Sequence, residues 1–546
     1  MGSSPGLLDV ELGDCCRESS AKGRRVSLKK GGNSKDPVSK RIRGAASTTG
    51  TGSRKVDGRL VAQKPRRGWP ARIDQWRRQG GWRLLLGPTG LLILLSFVVH
   101  APVLYLVEEN PNRATPPGDS QQYQALAQNL LDHHVFSLEG SPPFMTDVLR
   151  TPGYPLLLAA LYVLGGHSVL VVALAQAGLR TLGAFLLVGI AERVIESRAV
   201  GWIAAILWLL APLPTVLTGI LFTETLFTTL LLLTLWFLTG EPSWRNALLA
   251  GLFFGFALIT RPIAELLIPW VVLMLLLHKP LRSVLIKILP LALGVAIATG
   301  PWLAYTAAQF RTPILSTIGA DNLAFYTSAS VLAHEQGMGF SEASDRVHAL
   351  YQQGLAQFQA THPAPASPSE EAAIKSQIAY RILLAHPLQS AWFNLVDSFN
   401  TLRPGVTYTV LFLIPGSLPS LVSEGSDFSP ATAALGEPLV LGVTLALLLF
   451  YAPLYAASTL SLLLLFWKKR WQAVAAVVLP SAILFYAPGL PGNGRFRVPF
   501  EPLLCLLASA MILKVIEAVR SRKGGRSSPQ QRVHAASSPG KGGEAA

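Results

Sequence analysis

Asp119 stands in the run Pro117-Gly118-Asp119-Ser120-Gln121-Gln122-Tyr123, just where apolar residues begin to recur at helical spacing. A carboxylate there has two readings. As an N-cap it satisfies the free backbone N–H groups of a helix. As a general base it takes a proton from an attacking hydroxyl, an effect worth about 10²–10⁴-fold in rate. The matching cations are arginines that stand singly beside prolines or glycines: Arg150 before Pro152-Gly153-Tyr154-Pro155, Arg261 in Thr260-Arg261-Pro262, and Arg495 and Arg497 in the Gly-rich run from Pro491 to Pro499. A planar guanidinium binds phosphate through paired hydrogen bonds, most effectively where water is thin. Anchoring of lipid headgroups is the plainer reading of the last two. Arg180 and Glu224 fall inside apolar runs, where each must be paired, hydrated or functional. A salt bridge between those two is as good a reading as a ligand role. His133 and His134 adjoin Asp132, but no matching ligand set follows, so no metal site is expected.

The elements that must position these groups are membrane helices. Half the residues are hydrophobic, 14% are charged and the mean hydropathy is +0.39. Apolar runs near 20 residues recur, long enough to cross about 30 Å of hydrocarbon. We read an all-α polytopic membrane protein with spans at 84–107, 169–192, 199–218, 219–239, 246–260, 262–278, 283–306, 437–467, 471–488 and 499–519. With the N-terminus inside, this order returns the C-terminus to the cytoplasm. It also puts the basic clusters around Arg193 and Arg198, Arg245, Lys279 to Arg282, and Lys468 to Arg470 on the inner face, as the positive-inside rule requires. The lone arginines then lie on the outer side, where such residues are scarce. The run 152–165 is too short to span, and counting it would reverse every later loop; it reads as a helix lying on the outer surface. Residues 120–131 read as an amphipathic helix before it, with Tyr123, Leu126, Ala127, Leu130 and Leu131 on one face.

Domain boundaries follow. A basic cytoplasmic arm occupies 1–82, a transmembrane module 83–306, a large external loop 307–436, the last transmembrane helices 437–519 and a basic tail 520–546. The first external loop runs over 108–167. In the second, 341–360 and 370–385 are helical patches of a possible small domain, joined by a Pro/Ser-rich connector. Residues 1–83 hold 20 Lys/Arg against 7 Asp/Glu, a net of +13 out of +16 for the chain. That arm lacks apolar periodicity and reads as a disordered segment touching anionic lipid rather than nucleic acid. Three cysteines, two of them in the arm, give no disulfide framework.

The ordered set of motifs resembles the GT-C glycosyltransferases related to the protein mannosyltransferases (glycosyltransferase family 39) and the lipid A aminoarabinose transferase. It consists of an acidic residue opening Tyr123 to Leu131, the Arg-x-Pro-Gly-Tyr-Pro run at 150–155, Thr223 to Thr228, Thr260-Arg261-Pro262, Pro301-Trp302, the turn Gly319 to Leu323, and Arg495-Phe496-Arg497-Val498-Pro499. The resemblance covers about 84–519. It implies a GT-C fold of about ten transmembrane helices, within a range of 9–12, with horizontal helices in the first external loop. It implies a polyprenyl-phosphate-linked sugar donor and a lipid, protein or glycan acceptor. Carried over by position, Asp119 is the base, and Arg150, Arg180, Arg261, Arg495 and Arg497 surround the donor phosphate. Tyr123, Tyr154, Glu224 and Asn322, which lie within or beside the matching motifs, become substrate-positioning residues. Two departures stand out. Ser120 follows Asp119 where protein mannosyltransferases carry Asp-Glu, and Tyr305-Thr306 stand where relatives often have Arg-Asn. A divalent metal occurs in the wider superfamily, but a single aspartate is a poor site for one, and no cofactor is expected.

The function expected from these residues is inverting transfer of a sugar to an acceptor hydroxyl at the outer face of the cell membrane, both termini being cytoplasmic. The alternatives are a polymerase or ligase of lipid-linked saccharides and a polyprenyl-lipid flippase or transporter. The absence of an evident internal repeat counts against transport.

Overall fold

Proline decides where the apolar runs break. The computed structural model describes residues 87–277, 281–362, 364–414, 438–489 and 492–524. All of them lie in the second of two units, Gln75–Ala546. The N-terminal arm, Cys15 and Cys16, and the tail beyond 524 fall outside the described residues, which hold helices and no strand. Among the described residues five helices are long and apolar enough to cross a membrane: Pro88–Glu109, Val169–Val194, Lys287–Phe310, Val440–Trp467 and Glu501–Arg522. The protein is a multi-pass helical membrane protein.

In chain order, α1 is Pro88–Glu109, followed by a 3-10 turn at Pro111–Ala114. Two helices of the first loop follow, α2 at Asp119–Asp132 and α3 at Gly153–Gly165; they pack on each other, as expected for the amphipathic and short runs. Then come α4 (Val169–Val194), α5 (Arg198–Leu210), α6 (Pro212–Leu217), α7 (Glu224–Leu238) and α8 (Trp244–Leu258). The expected spans 199–218 and 219–239 are therefore corrected. Ala211, placed before Pro212, takes an extended backbone (φ −61°, ψ 118°) and ends α5 early. After the short α6, helix does not resume until Glu224, so the backbone of 218–223 is irregular and buried.

The turn at Thr260-Arg261-Pro262 forms where expected. Arg261 is extended (φ −146°, ψ 117°) and Pro262 opens a 3-10 segment to Leu267, which leads into α9 (Ile268–Leu276). Helix α10 (Leu281–Phe310) continues past Pro290 and Pro301 and ends four residues beyond the span end expected at 306. The second loop holds the turn Ile318–Asp321, a π-helical stretch Asn322–Ser328, α11 (Ala329–Gln336), α12 (Phe340–Thr361), α13 (Pro368–Ala385) and α14 (Pro387–Ser398). Its helices share a small core of Ala324, Ala329, Leu332, Ala343, Val347 and Ala379. Ser367 and Glu370 form a capping box that starts α13. After α15 (Val406–Leu413) come α16 (Pro438–Trp467), α17 (Trp471–Tyr486), a single turn α18 (Gly494–Arg497) and α19 (Glu501–Gly524), which extends five residues beyond the expected end at 519.

Candidate active site

Five charged side chains from five separate segments meet in one cluster. Arg150 Nη2 lies 2.5 Å from Asp119 Oδ1, and Arg495 Nη2 lies 2.5 Å from Asp119 Oδ2. Arg495 then turns its Nε to Glu224 Oε1 at 2.5 Å, and Arg261 Nη1 reaches the same oxygen at 2.5 Å. The order is Arg150, Asp119, Arg495, Glu224, Arg261, with cations and carboxylates alternating. Arg495 and Asp119 are 376 residues apart in sequence. Glu224 is fully buried, while Asp119 keeps 25% of its side-chain surface exposed, so the carboxylate of Asp119 faces the accessible side. Ion pairs this far from water hold only where each charge is compensated. Two carboxylates against three guanidinium groups leave the cluster with a net charge of +1.

Local sequence explains how each group is aimed. Gly118, at φ 102°, serves as the N-cap of α2, and Asp119 is its first helical residue with no side-chain cap bond. The N-cap reading of Asp119 is thus corrected: the glycine takes the cap position and leaves the carboxylate free for the arginines. One helical turn on, Gln122 Oε1 accepts from Arg150 Nε at 2.8 Å. Asp147 holds the backbone N–H of Arg150 at 2.9 Å. Gly153 lets the start of α3 sit directly on the Arg261 turn, its N–H donating to Ile259 O at 2.7 Å. A Cβ there would lie 2.7 Å from that same carbonyl, so only glycine fits. Arg261 Nη1 also donates to Thr223 Oγ1 at 3.1 Å, in the stretch that the break at Pro212 leaves irregular. Arg495 is steadied by the ring of Phe222, with its Cζ 4.1 Å from the centroid, and Tyr408 stands at 6.0 Å.

The arginine neighbours set the charge state of Asp119. Burial opposes ionisation, but Arg495 and Arg150, with a further contribution from Arg261, hold its carboxyl well below the usual carboxylate range. Asp147 behaves oppositely: burial raises its pKa despite the backbone N–H groups of Arg150 and Leu149. Among the described residues no group of three or more His, Cys, Asp or Glu side chains lies close enough to hold a metal.

The other expected site residues divide. Tyr123 is buried against Arg150, whose Cζ is 5.5 Å from the ring, and Tyr154 packs edge-on to Tyr123 at 5.2 Å. Asn322 opens the π-helical stretch of the second loop, exposed and outside the ion cluster. Arg180 is not in the cluster and does not pair with Glu224. It is buried at 1% exposure and donates to Thr215 Oγ1 (2.6 Å), Leu209 O (3.1 Å), Ala211 O (2.9 Å) and Trp208 O (2.5 Å). Three of those acceptors are carbonyls freed where α5 breaks before Pro212, and they serve the guanidinium in place of a counter-ion. Arg497 is also elsewhere. Its Nε meets Glu501 Oε2 at 3.0 Å, its Nη1 donates to Arg403 O at 2.7 Å and Thr401 O at 3.3 Å, and its Cζ lies 3.9 Å from the Tyr451 ring. Residues two apart on a helical turn point about 200° apart, so Arg495 and Arg497 cannot share one site. Sequence reasoning gave no role to Gln122, Thr223, Phe222 or Tyr408. Gln122 was visible as the i+3 neighbour of Asp119 and Thr223 opened the Thr223 to Thr228 motif; nothing in the sequence marked Phe222 or Tyr408.

Residues 149–305 match the family model described as dolichyl-phosphate-mannose-protein mannosyltransferase, a stretch that contains Arg150, Glu224 and Arg261 but not Asp119 or Arg495. No curated protein sequence matches the chain. Among solved structures it is similar to the archaeal oligosaccharyltransferase AglB from Archaeoglobus fulgidus, in complex with an inhibitory peptide and a dolichol-phosphate. That likeness has 12% identity and a TM-score of 0.44, covering 83% of this chain and 52% of the other. The chain thus spans about half the length of AglB. It is also similar to ArnT from Cupriavidus metallidurans bound to undecaprenyl phosphate (12% identity, TM-score 0.36, covering 79% of this chain and 78% of the other).

Proposed function

We propose that this protein is a GT-C membrane glycosyltransferase that moves a sugar from a polyprenyl-phosphate donor to an acceptor hydroxyl at the extracytoplasmic face, with inversion. The observation that carries the reading is the alternating cluster and its charge. A donor phosphodiester brings one negative charge against the cluster's +1. Asp119 takes the proton of the acceptor hydroxyl, the hydroxyl oxygen bonds to the anomeric carbon, and the bond from that carbon to the phosphate oxygen breaks with its electron pair. The phosphate leaves with two negative charges while protonation of Asp119 raises the cluster to +2. Charge is matched before and after the step, so the guanidinium groups stabilise the leaving group more as the bond breaks. In this reading Arg150, Arg261 and Arg495 take the phosphate, and Glu224 holds the last two in register. Tyr123, backed by Tyr154, braces Arg150. Arg180 and Arg497 act as buried anchors, and Asn322 stays a candidate on the acceptor side.

A carboxylate gripped by two arginines is a weak base. Donor phosphate competes for those same arginines, so its arrival loosens Asp119 and raises its proton affinity. Base activation is thereby tied to donor binding. The test is Asp119→Asn, assayed with purified protein and a synthetic polyprenyl-phosphoryl sugar. Transfer is expected to fall at least 10²-fold with expression intact; near-normal transfer rejects the base. Labelling of Gln121→Cys by a membrane-impermeant thiol reagent from outside tests the side of the membrane, and reaction only from the cytoplasmic side rejects the outer face.

A further inference from the structure

Beside the ion cluster lies a cavity of about 290 Å³, open to the surface at Asn112 and Gln121. None of the five charged residues lines it, but their neighbours do. Pro117 and Gln121 flank Asp119 in sequence, and Tyr408, whose ring stands 6.0 Å from the Arg495 guanidinium, lines the cavity with Leu411. Nothing in the cluster chemistry uses this space.

Its lining selects an occupant. Asn112, Gln121 and Thr115 supply amide and hydroxyl groups that both donate and accept, while Tyr408 and Leu411 supply apolar surface. No carboxylate lines it. The one cation, Arg113, is spent on structure: its Nη1 donates to Phe412 O at 2.7 Å and Leu413 O at 2.6 Å, closing the C-terminal end of α15, and its Nη2 faces Glu109 at 3.7 Å. A phosphate therefore finds here only a guanidinium whose Nη1 and Nη2 are already engaged, and a prenyl chain finds too many polar walls. The volume lies at the small end of ligand pockets, suited to a single ring rather than a peptide or oligosaccharide. We propose that this cavity is the subsite for one neutral sugar ring, hydrogen-bonded by Asn112, Gln121 and Thr115 and packed against Tyr408, at the base side of Asp119. The inference rests on the functional reading above and extends it to a residue set that no motif marked. The ring belongs either to the donor's transferred sugar or to a glycan acceptor, since both offer the same hydroxyl-rich surface.

The experiment uses the full chain in lipid nanodiscs, with wild type, Leu411→Trp to fill the cavity, and Gln121→Ala to remove one exposed amide. Three quantities are read: affinity for sugar-free polyprenyl phosphate, affinity for polyprenyl-phosphoryl hexose, and KM for a hexoside acceptor. Filling the cavity is expected to leave the sugar-free lipid within about twofold of wild type, which also certifies folding. A loss of tenfold or more in donor affinity assigns the ring to the donor, and the same loss confined to acceptor KM assigns it to the acceptor. For Gln121→Ala we expect a smaller loss in the same quantity, about three- to tenfold, as for one hydrogen bond. Unchanged donor affinity and acceptor KM in both variants overturns the subsite while the functional reading stands. Failure of wild type to bind polyprenyl phosphate at all overturns the functional reading, and the subsite with it.

Discussion

Arg495 is the residue whose replacement separates a directed fork from a mere positive charge. It spends two different nitrogens on two different carboxylates, Nε on Glu224 and Nη2 on Asp119, each at 2.5 Å. Arg495→Lys keeps the charge, but a single ammonium nitrogen cannot hold the fork geometry to both. Arg495→Gln removes the charge. In each case the carboxylates keep one guanidinium: Glu224 keeps Arg261 and Asp119 keeps Arg150. The stability cost therefore stays below the 3–5 kcal/mol typical of an orphaned buried charge. A loss of about 1–3 kcal/mol is expected, in line with charge-assisted hydrogen bonds. Activity should suffer more, because the leaving phosphate loses a preorganised donor; about 2.7–4 kcal/mol, or 10²–10³ in kcat, is the measure of one such group. Initial transfer rates and thermal unfolding of both variants in detergent or nanodiscs read the two quantities separately. Recovery of wild-type kcat within about threefold in the lysine variant refutes the fork argument. So does a loss of activity that only tracks the fraction unfolded.

Two further outcomes follow from the same geometry. Arg497→Met, which orphans the fully buried Glu501, should destabilise the protein by about 3–5 kcal/mol, whereas Arg497→Met with Glu501→Leu should recover most of it, measured by chemical unfolding; an unrecovered double variant removes the anchor reading. The pH dependence of stability provides the second. A carboxylate whose folded pKa is depressed contributes stability above its unfolded pKa, about 3.9, and loses it only as pH falls through the folded value. The difference in Tm between wild type and Asp119→Asn should therefore stay constant from pH 8 to about pH 5 and shrink only in stronger acid; a steep change near neutrality contradicts the ion-paired carboxylate.

What the sequence disclosed and what it hid divide along one line, whether the determining interaction is local. Thr260-Arg261-Pro262 predicts its own turn because Pro262 cannot continue the ladder of α8, and the structure turns there. The two first-loop helices were legible from spacing and length. The same rule, applied to Pro212, should have broken the span 199–218, but long apolar composition masked it. That break matters twice. It frees the carbonyls that Arg180 takes, so that residue is held neither by Glu224 nor within the ion cluster. It also sets Glu224 at the first turn of α7, pointing at arginines from elsewhere. Which arginines share a site was not legible. Arg495 and Arg497 carry the same motif; Glu501, four residues on, marks Arg497 locally, whereas only the tertiary docking of α18 sends Arg495 to Asp119.

The alternation of charges has a consequence for how the site accepts an anion. Its guanidinium groups are never bare: two carboxylates from its own chain occupy them until something displaces Asp119. A small inorganic anion arriving from solution must break internal contacts and offers little in return. In the proposed reaction a phosphate tethered to a hydrocarbon chain carries its own reason to stay, because its tail partitions into the bilayer. Selection between lipid-borne and soluble phosphates then needs no gate and no extra recognition loop. On that proposal it arises from a site whose arginines are already paired, favouring a ligand concentrated in two dimensions to take the place of Asp119.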